Sequence, residues 1–341
     1  MPRCNRPVSS CHGSIVSADL SIIHVLRPGL FTTVQDLGRR RFRRFGVSVS
    51  GAMDRWARTV GNRLLGNRDD AAGLEVTLQG PELLFERTAW IAITGADLSP
   101  THEGRALPMW TVVEIPAGTR VQFGARKSGA RTYVAVAGGI EGSRILGSHS
   151  THVRSGLGGV EGRALKKWDQ LAIATPPPRT ARLVGHALPT SRRPEYSAAL
   201  TLRIVPGPQT DRFTERSLAS LVENAYRITP ESDRMGYRLT GQALRHRMGA
   251  DILSDAVTCG ALQVPPDGQP ILLMADCQTT GGYAKPAVVI SVDLPSAAQL
   301  LPGDTIHFRY IPPDEASSLL RTTQAELDRL LPPPTGNCLR P

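Results

Sequence analysis

Four short stretches of this 341-residue chain gather the residue types that hydrogen-bond and orient a small polar molecule. They are residues 28–39 (PGLFTTVQDLGR), 48–54 (SVSGAMD), 232–239 (SDRMGYRL) and 276–283 (DCQTTGGY). Each sets a carboxylate or amide beside glycine and hydroxyl side chains. Glycine lets backbone approach a ligand closely, while Asp, Gln, Thr and Tyr supply directed donors and acceptors. The same mixture also builds ordinary turns, so no single stretch identifies a reaction.

Other chemistries are excluded more firmly. The chain has no G-x-x-x-x-G-K-[ST] phosphate loop and no G-x-S-x-G nucleophile elbow, and Gly156-Leu157-Gly158-Gly159 lacks the dinucleotide-binding spacing. His149 and His152 stand at i, i+3 with no third ligand nearby, so no metal site is expected. The cysteines are Cys4, Cys11, Cys259, Cys277 and Cys338, an odd number with no C-x-x-C. That pattern points to reduced thiols in a cytoplasmic protein. No Ala-Met-Lys-Met turn offers a lysine for biotin, so any biotin would arrive on another protein.

The formal net charge is +10, and only four of the 40 basic residues are lysines. The basic residues are dispersed and aromatics make up only 5%, so the stacking platform of a nucleic-acid binder is missing. The densest patch is Arg39, Arg40, Arg41, Arg43 and Arg44. Such a patch is either a solvated loop or an anion site for phosphate or carboxylate. No run approaches the roughly 18 apolar residues of a membrane helix. No seven-residue apolar core follows the basic start at Arg3 and Arg6, so no signal peptide is expected.

The elements that must position these clusters are mostly short strands. Apolar runs at 83–85, 90–94, 112–115, 121–123, 133–137, 202–205, 271–274, 287–292 and 305–310 are separated by Gly and Pro. Such spacing favours barrels or sandwiches over βαβ units. Helical periodicity is confined to 53–65, with Asp54 near its start, to 212–226, and to 314–331. The prolines at 176–178 open a Pro/Arg-rich stretch that divides the chain. The expected organisation is a ragged N-terminal tail (1–23), a first module (24–175), a linker (176–199), a second module (200–312) and an amphipathic tail (313–341).

Taken together and in order, the clusters resemble the carboxyltransferase-domain family. That family includes the C subunit of 5-oxoprolinase, allophanate hydrolase subunit 2, Kip-type antagonists and part of urea amidolyase. Further matching stretches are 61–67, 74–77, 80–81, 93–97, 136–140, 146–148, 207–209 and 260–265. They span about 24–312. The resemblance implies a mainly β chain with a few helices, built as two cyclophilin-like β-barrel subdomains in tandem. It also implies a subunit of an ATP-dependent amide hydrolase that converts 5-oxoproline to glutamate. The subunit would work with a B-type family partner and an A-type subunit, with ATP bound here or on a partner. Two other family roles stay open: a Kip-type regulator that binds a B-type inhibitor, and a biotin-dependent carboxyltransferase acting on urea or a related amide.

Opening an amide requires donors for a developing oxyanion, a base, and cations for phosphate or carboxylate. By membership of the matching stretches, Asp36, Asp54, Asp97 and Asp233 are the expected bases or substrate-orienting groups. Arg39 and Arg234 are the expected anion contacts. Gln35, Ser50, Asn62, Tyr237, Gln278, Thr279, Thr280 and Tyr283 are the expected hydrogen-bonding wall. Among departures from the family pattern, Ser48 replaces a proline, His149 an arginine, Trp168 a turn glycine, Ala284 a proline and Pro286 an isoleucine.

Overall fold

The computed structural model describes residues 21–334. The expected tail over residues 1–20, and Cys4, Cys11 and Cys338 with it, lie outside that range. The first module contains β1 (Ser21–Arg27), β2 (Phe31–Gln35), β3 (Gly73–Thr77), β4 (Glu82–Phe85), β5 (Ala89–Asp97), β6 (Pro100–His102), β7 (Arg105–Ala106), β8 (Val112–Ile115), β9 (Thr119–Phe123), β10 (Ser128–Val136) and β11 (Gln170–Ile173). They form a six-stranded sheet, β11-β1-β4-β9-β6-β7, and a five-stranded sheet, β2-β3-β10-β5-β8. Alternation along the strands points Ile23, Val25, Leu74, Val76, Leu83, Ile91, Ile93 and Val134 into one shared core.

Helix α1 (Arg55–Leu64) covers the other face of the five-stranded sheet. Its Ala57, Val60 and Leu64 pack with Ala92, Tyr133 and Ala135. The close approach favours glycine at position 61, where a Cβ would come within 3.2 Å of the Ala135 methyl and the Thr94 hydroxyl and push them back by a few tenths of an ångström.

The second module contains β12 (Ala199–Pro206), β13 (Tyr226–Ile228), β14 (Gly236–Thr240), β15 (Asp251–Ala256), β16 (Ala261–Gln263), β17 (Ile271–Leu273), β18 (Thr280–Tyr283), β19 (Ala287–Val289) and β20 (Thr305–Tyr310). Seven of them close a barrel in the order β12-β19-β16-β17-β14-β13-β20. A parallel pairing of β12 with β20, Ala199 opposite Thr305 through Ile204 opposite Tyr310, makes the closure. β15 and β18 stand apart as a two-stranded ribbon. Helices α2 (Glu215–Glu223) and α3 (Leu294–Ala297) complete this module.

The chain crosses between modules more than its composition suggests. The stretch expected as a linker packs on the first module: Leu188 is fully buried, its N–H bonded to the Trp110 carbonyl at 2.9 Å. The expected tail is helix α4 (Pro313–Leu330), which also returns to the first module. Leu327 and Leu331 join the packing around α1, and Asp328 pairs with Arg63 at 2.6 Å. Met53, in the opposite direction, belongs to the core of the second barrel.

Candidate active site

The structure sorts the expected site residues into separate settings. The first ties one loop to another. After β2 the chain turns at Asp36, whose Oδ1 accepts from the Gly38 N–H (2.7 Å), Ser148 Oγ (2.7 Å) and Ser150 Oγ (2.5 Å). Its Oδ2 accepts from the His149 N–H at 2.6 Å. Arg39 is buried and donates to the carbonyls of Ile145 (3.1 Å) and Ser150. Gln35 and Ser50 both donate to the Thr151 carbonyl, at 3.0 and 2.9 Å. These four side chains fasten 35–51 to 145–151, and a carboxylate holding four donors is a loop organiser.

The second setting is a buried polar network between the modules. Arg234 donates to both oxygens of Asp276 (2.8 and 3.0 Å), to Glu75, and to the Gly51 carbonyl at 2.6 Å. Burial alone would lower the Arg234 pKa, but Asp276 and Glu75 outweigh it and raise it. The other Glu75 oxygen accepts from the Tyr133 hydroxyl and the Met53 N–H, each at 2.8 Å. Tyr133 in turn accepts from the Asp54 N–H at 2.7 Å.

Asp54 caps α1 by accepting from the Ala57 N–H at 2.8 Å, and accepts from Gln299 Nε2 at 2.8 Å. Burial pushes its carboxyl up to about 6, against the Ala57 and Gln299 bonds that favour its charged form. Tyr237 accepts from Arg131 at 2.8 Å. Asp54, Arg234 and Tyr237 are thus brought together as interface structure.

Two expected residues lie elsewhere. Asn62 holds the Asp69 and Ala71 carbonyls beyond α1, at 3.1 and 2.9 Å. Asp97 caps a turn at the Ser99 N–H (2.8 Å) and faces Lys127 at 3.7 Å.

The remaining expected residues line cavities. A cavity of about 640 Å³ opens between the modules. Arg43, Arg44 and Gly46 of the first module face Thr258, Thr279, Thr280 and Lys285 of the second, with Pro208, Val257 and Val288 as apolar wall. Arg43 reaches Thr258 Oγ1 at 3.4 Å. Lys285 is buried, its Nζ 3.2 Å from Asp255 Oδ2 and its N–H bonded to Gln209 Oε1 at 3.2 Å. Ser48 Oγ donates to the Cys277 carbonyl at 3.0 Å, anchoring the 276–283 loop to the first module.

A smaller cavity of about 260 Å³ takes Asp233, Gln278 and Tyr283, with Arg154 and Arg238. The 276–283 segment divides the two: Gln278 faces the smaller one and the next two residues face the larger. Among the described residues, no group of three or more His, Cys, Asp or Glu could hold a metal ion, and no helix is long and apolar enough to cross a membrane.

Residues 45–310 match the family model described as carboxyltransferase domain, subdomain A and B. The chain belongs to this family. It is 37% identical to the C subunit of 5-oxoprolinase from Escherichia coli over 311 residues, covering 91% of this chain and 97% of that protein. Urea amidolyase of Saccharomyces cerevisiae is 30% identical over 90% of this chain, which spans only 18% of that protein. The crystal structure of the Kluyveromyces lactis urea carboxylase superposes with a TM-score of 0.84 at 29% identity, over 91% of this chain and 29% of that one. The mainly β, two-module architecture is therefore that of a carboxyltransferase domain.

Sequence reasoning missed Lys285 and Thr258 as cavity wall, whereas Arg43 and Arg44 belong to the basic patch it had offered as a solvated loop or an anion site. Lys285 left a signal: it is the one lysine in the second module and lies two residues after Tyr283. It also missed Glu75 and Gln299, for which neither spacing nor residue type gave a cue.

Proposed function

We propose that this chain is the carboxyltransferase-like subunit of an ATP-dependent 5-oxoprolinase, and that the cavity of about 640 Å³ is where its small amide is held. The observation that carries the reading is the cavity's charge. Its wall presents Arg43, Arg44 and Lys285 with three threonines and no acidic residue, the Lys285 partner Asp255 standing outside the lining. Such a wall favours an anionic amide, as 5-oxoproline is with its ring carboxylate, over a neutral one such as urea. Similarity along nearly the whole length of the Escherichia coli 5-oxoprolinase relative supports the same reading.

A lactam resists water because amide resonance must be broken. Coupling to ATP activates the ring amide so that the bond can be cleaved. In this reading Lys285 holds the substrate carboxylate. Thr258, Thr279 and Thr280 donate to the ring carbonyl as charge develops on it. The base would come from a B-type partner or an A-type subunit, because the cavity wall carries none.

The test is reconstitution. The chain is co-purified with A-type and B-type subunits, and glutamate release from 5-oxoproline is measured with and without ATP. The expected result is ATP-dependent release that disappears when this chain is omitted. Release unchanged by the omission favours a Kip-type binding role. Turnover of urea but not 5-oxoproline, with a biotin protein supplied, favours the carboxyltransferase role.

A further inference from the structure

Arg63, Arg163, Arg203 and Arg234 meet carboxylates. The buried Arg39, Arg58 and Arg131 donate to backbone carbonyls instead. One cluster, exposed at Arg40 and Arg44 and half-buried at Arg43 and Arg55, has neither kind of partner among the described residues. Arg40, Arg43 and Arg44 lie on the 3-10 turn Arg40–Phe45, and Arg55 opens α1. Among the described residues none of these four has a carboxylate partner. Arg43 makes a single long contact with Thr258, Arg44 stacks 4.8 Å from the Phe45 ring centroid, and Arg55 is half-buried with no hydrogen-bond partner.

Burial pushes Arg55 down to about 10, and the charge of Arg40 acts in the same direction. Arg40, Arg43 and Arg55 all lie close enough to Cys259 for their charges to act on its thiol. Cys259 adjoins Thr258 in the cavity wall. Unpaired positive charge packed together is unfavourable unless an anion completes it. The cavity of about 640 Å³ is the size of a drug-like pocket and has room beyond one five-membered ring.

We infer that Arg43 and Arg44, with the Thr258 hydroxyl, form a phosphoryl-group subsite on the first-module side of the cavity. Several planar guanidinium donors around one point suit a phosphate, which takes bidentate contacts on more than one edge. The inference rests on reading that cavity as the reaction site, and adds that the activating phosphate is received on this chain. The phosphoryl group could belong to a nucleotide or be free phosphate, and the chemistry that recognises it is shared.

Its test needs no turnover, so it stands or falls apart from the 5-oxoproline reading. The unfolding midpoint of the full chain is measured at fixed ionic strength with chloride, acetate, inorganic phosphate and a non-hydrolysable ATP analogue. The expected result is concentration-dependent stabilisation by phosphate, by the analogue, or by both, the pattern naming the source. Arg43→Gln is expected to weaken that response about tenfold or more, the loss of a charge-assisted contact. The same variant should keep or raise the ligand-free midpoint, because an uncompensated charge is removed. Arg44→Gln, at an exposed position of the same wall, repeats the test should Arg43→Gln impair folding. No response beyond chloride would make the cluster a solvated basic face. An acetate response equal to phosphate would make it a carboxylate site. A phosphate response surviving both substitutions would also overturn the inference.

Discussion

Two charged regions lie side by side where the modules meet, and they are built on opposite rules. In the network around Arg234, every charge has a partner: the guanidinium spans Asp276 and Glu75, and Glu75 also takes Tyr133 and the Met53 N–H. Across the cavity, Arg43 and Arg44 have no carboxylate partners among the described residues, and threonines line open volume. A satisfied network gains nothing from a ligand and holds the modules in register. An unsatisfied one is completed by a ligand. Both regions come from stretches of similar composition, so hydrogen-bond satisfaction separates scaffold from site where residue type does not.

The sharpest way to break the comparison is at Arg234. Arg234→Met leaves Glu75 and Asp276 buried without their cation and should cost about 3–5 kcal/mol. A shift in the urea midpoint measures it. A neutral result would mean that this network is wet and adaptable like the cavity.

Asp54 gives a smaller effect with a defined sign. Its folded-state pKa of about 6 lies above the ordinary 3.8, so the native state resists its ionised form. The contribution of Asp54 to stability therefore rises as pH falls from about 6 towards 4, and is least above 6. Asp54→Asn should remove that rise. It should also cost about 1 kcal/mol, because its amide would face Gln299 Nε2 and one hydrogen bond would be lost. Unfolding curves between those pH values check both.

Smaller still is Trp168, held at φ +74° and 66% exposed, where the family resemblance expects a turn glycine. Trp168→Gly should stabilise the chain by about 1 kcal/mol by removing left-handed strain. Asp97→Ala, on a surface turn, should stay within about 0.5 kcal/mol and leave activity unchanged.

Much of the architecture was legible because strand alternation and Gly/Pro punctuation follow from local sterics. The runs at 90–94, 133–137 and 305–310 fall on β5, β10 and β20, and the pattern at 53–65 falls on α1. The β15–β18 ribbon was not legible, since β15 is mostly exposed and β18 is rich in glycine and hydroxyls. The docking of 176–199 escaped notice because proline and arginine mask a single anchoring residue, Leu188. For the site, the 276–283 stretch contains Thr279 and Thr280, which line the larger cavity. The same reasoning brought in Asp36, Asp54 and Arg234, whose polar atoms are consumed by internal partners. Which partners a buried carboxylate finds depends on residues far along the chain, as Asp54 with Gln299 shows. Spacing in one segment carries no trace of them.

The most direct measurement compares ATP-dependent glutamate release by assemblies reconstituted with the wild-type chain and with Lys285→Met. The substitution keeps the buried volume while deleting the cation that faces the cavity. The cavity account predicts a loss of turnover of about a hundredfold, as expected for a group that holds and polarises substrate, with an intact assembly and a retained unfolding transition. Wild-type turnover by the Lys285→Met assembly would contradict it and move the reaction off this cavity.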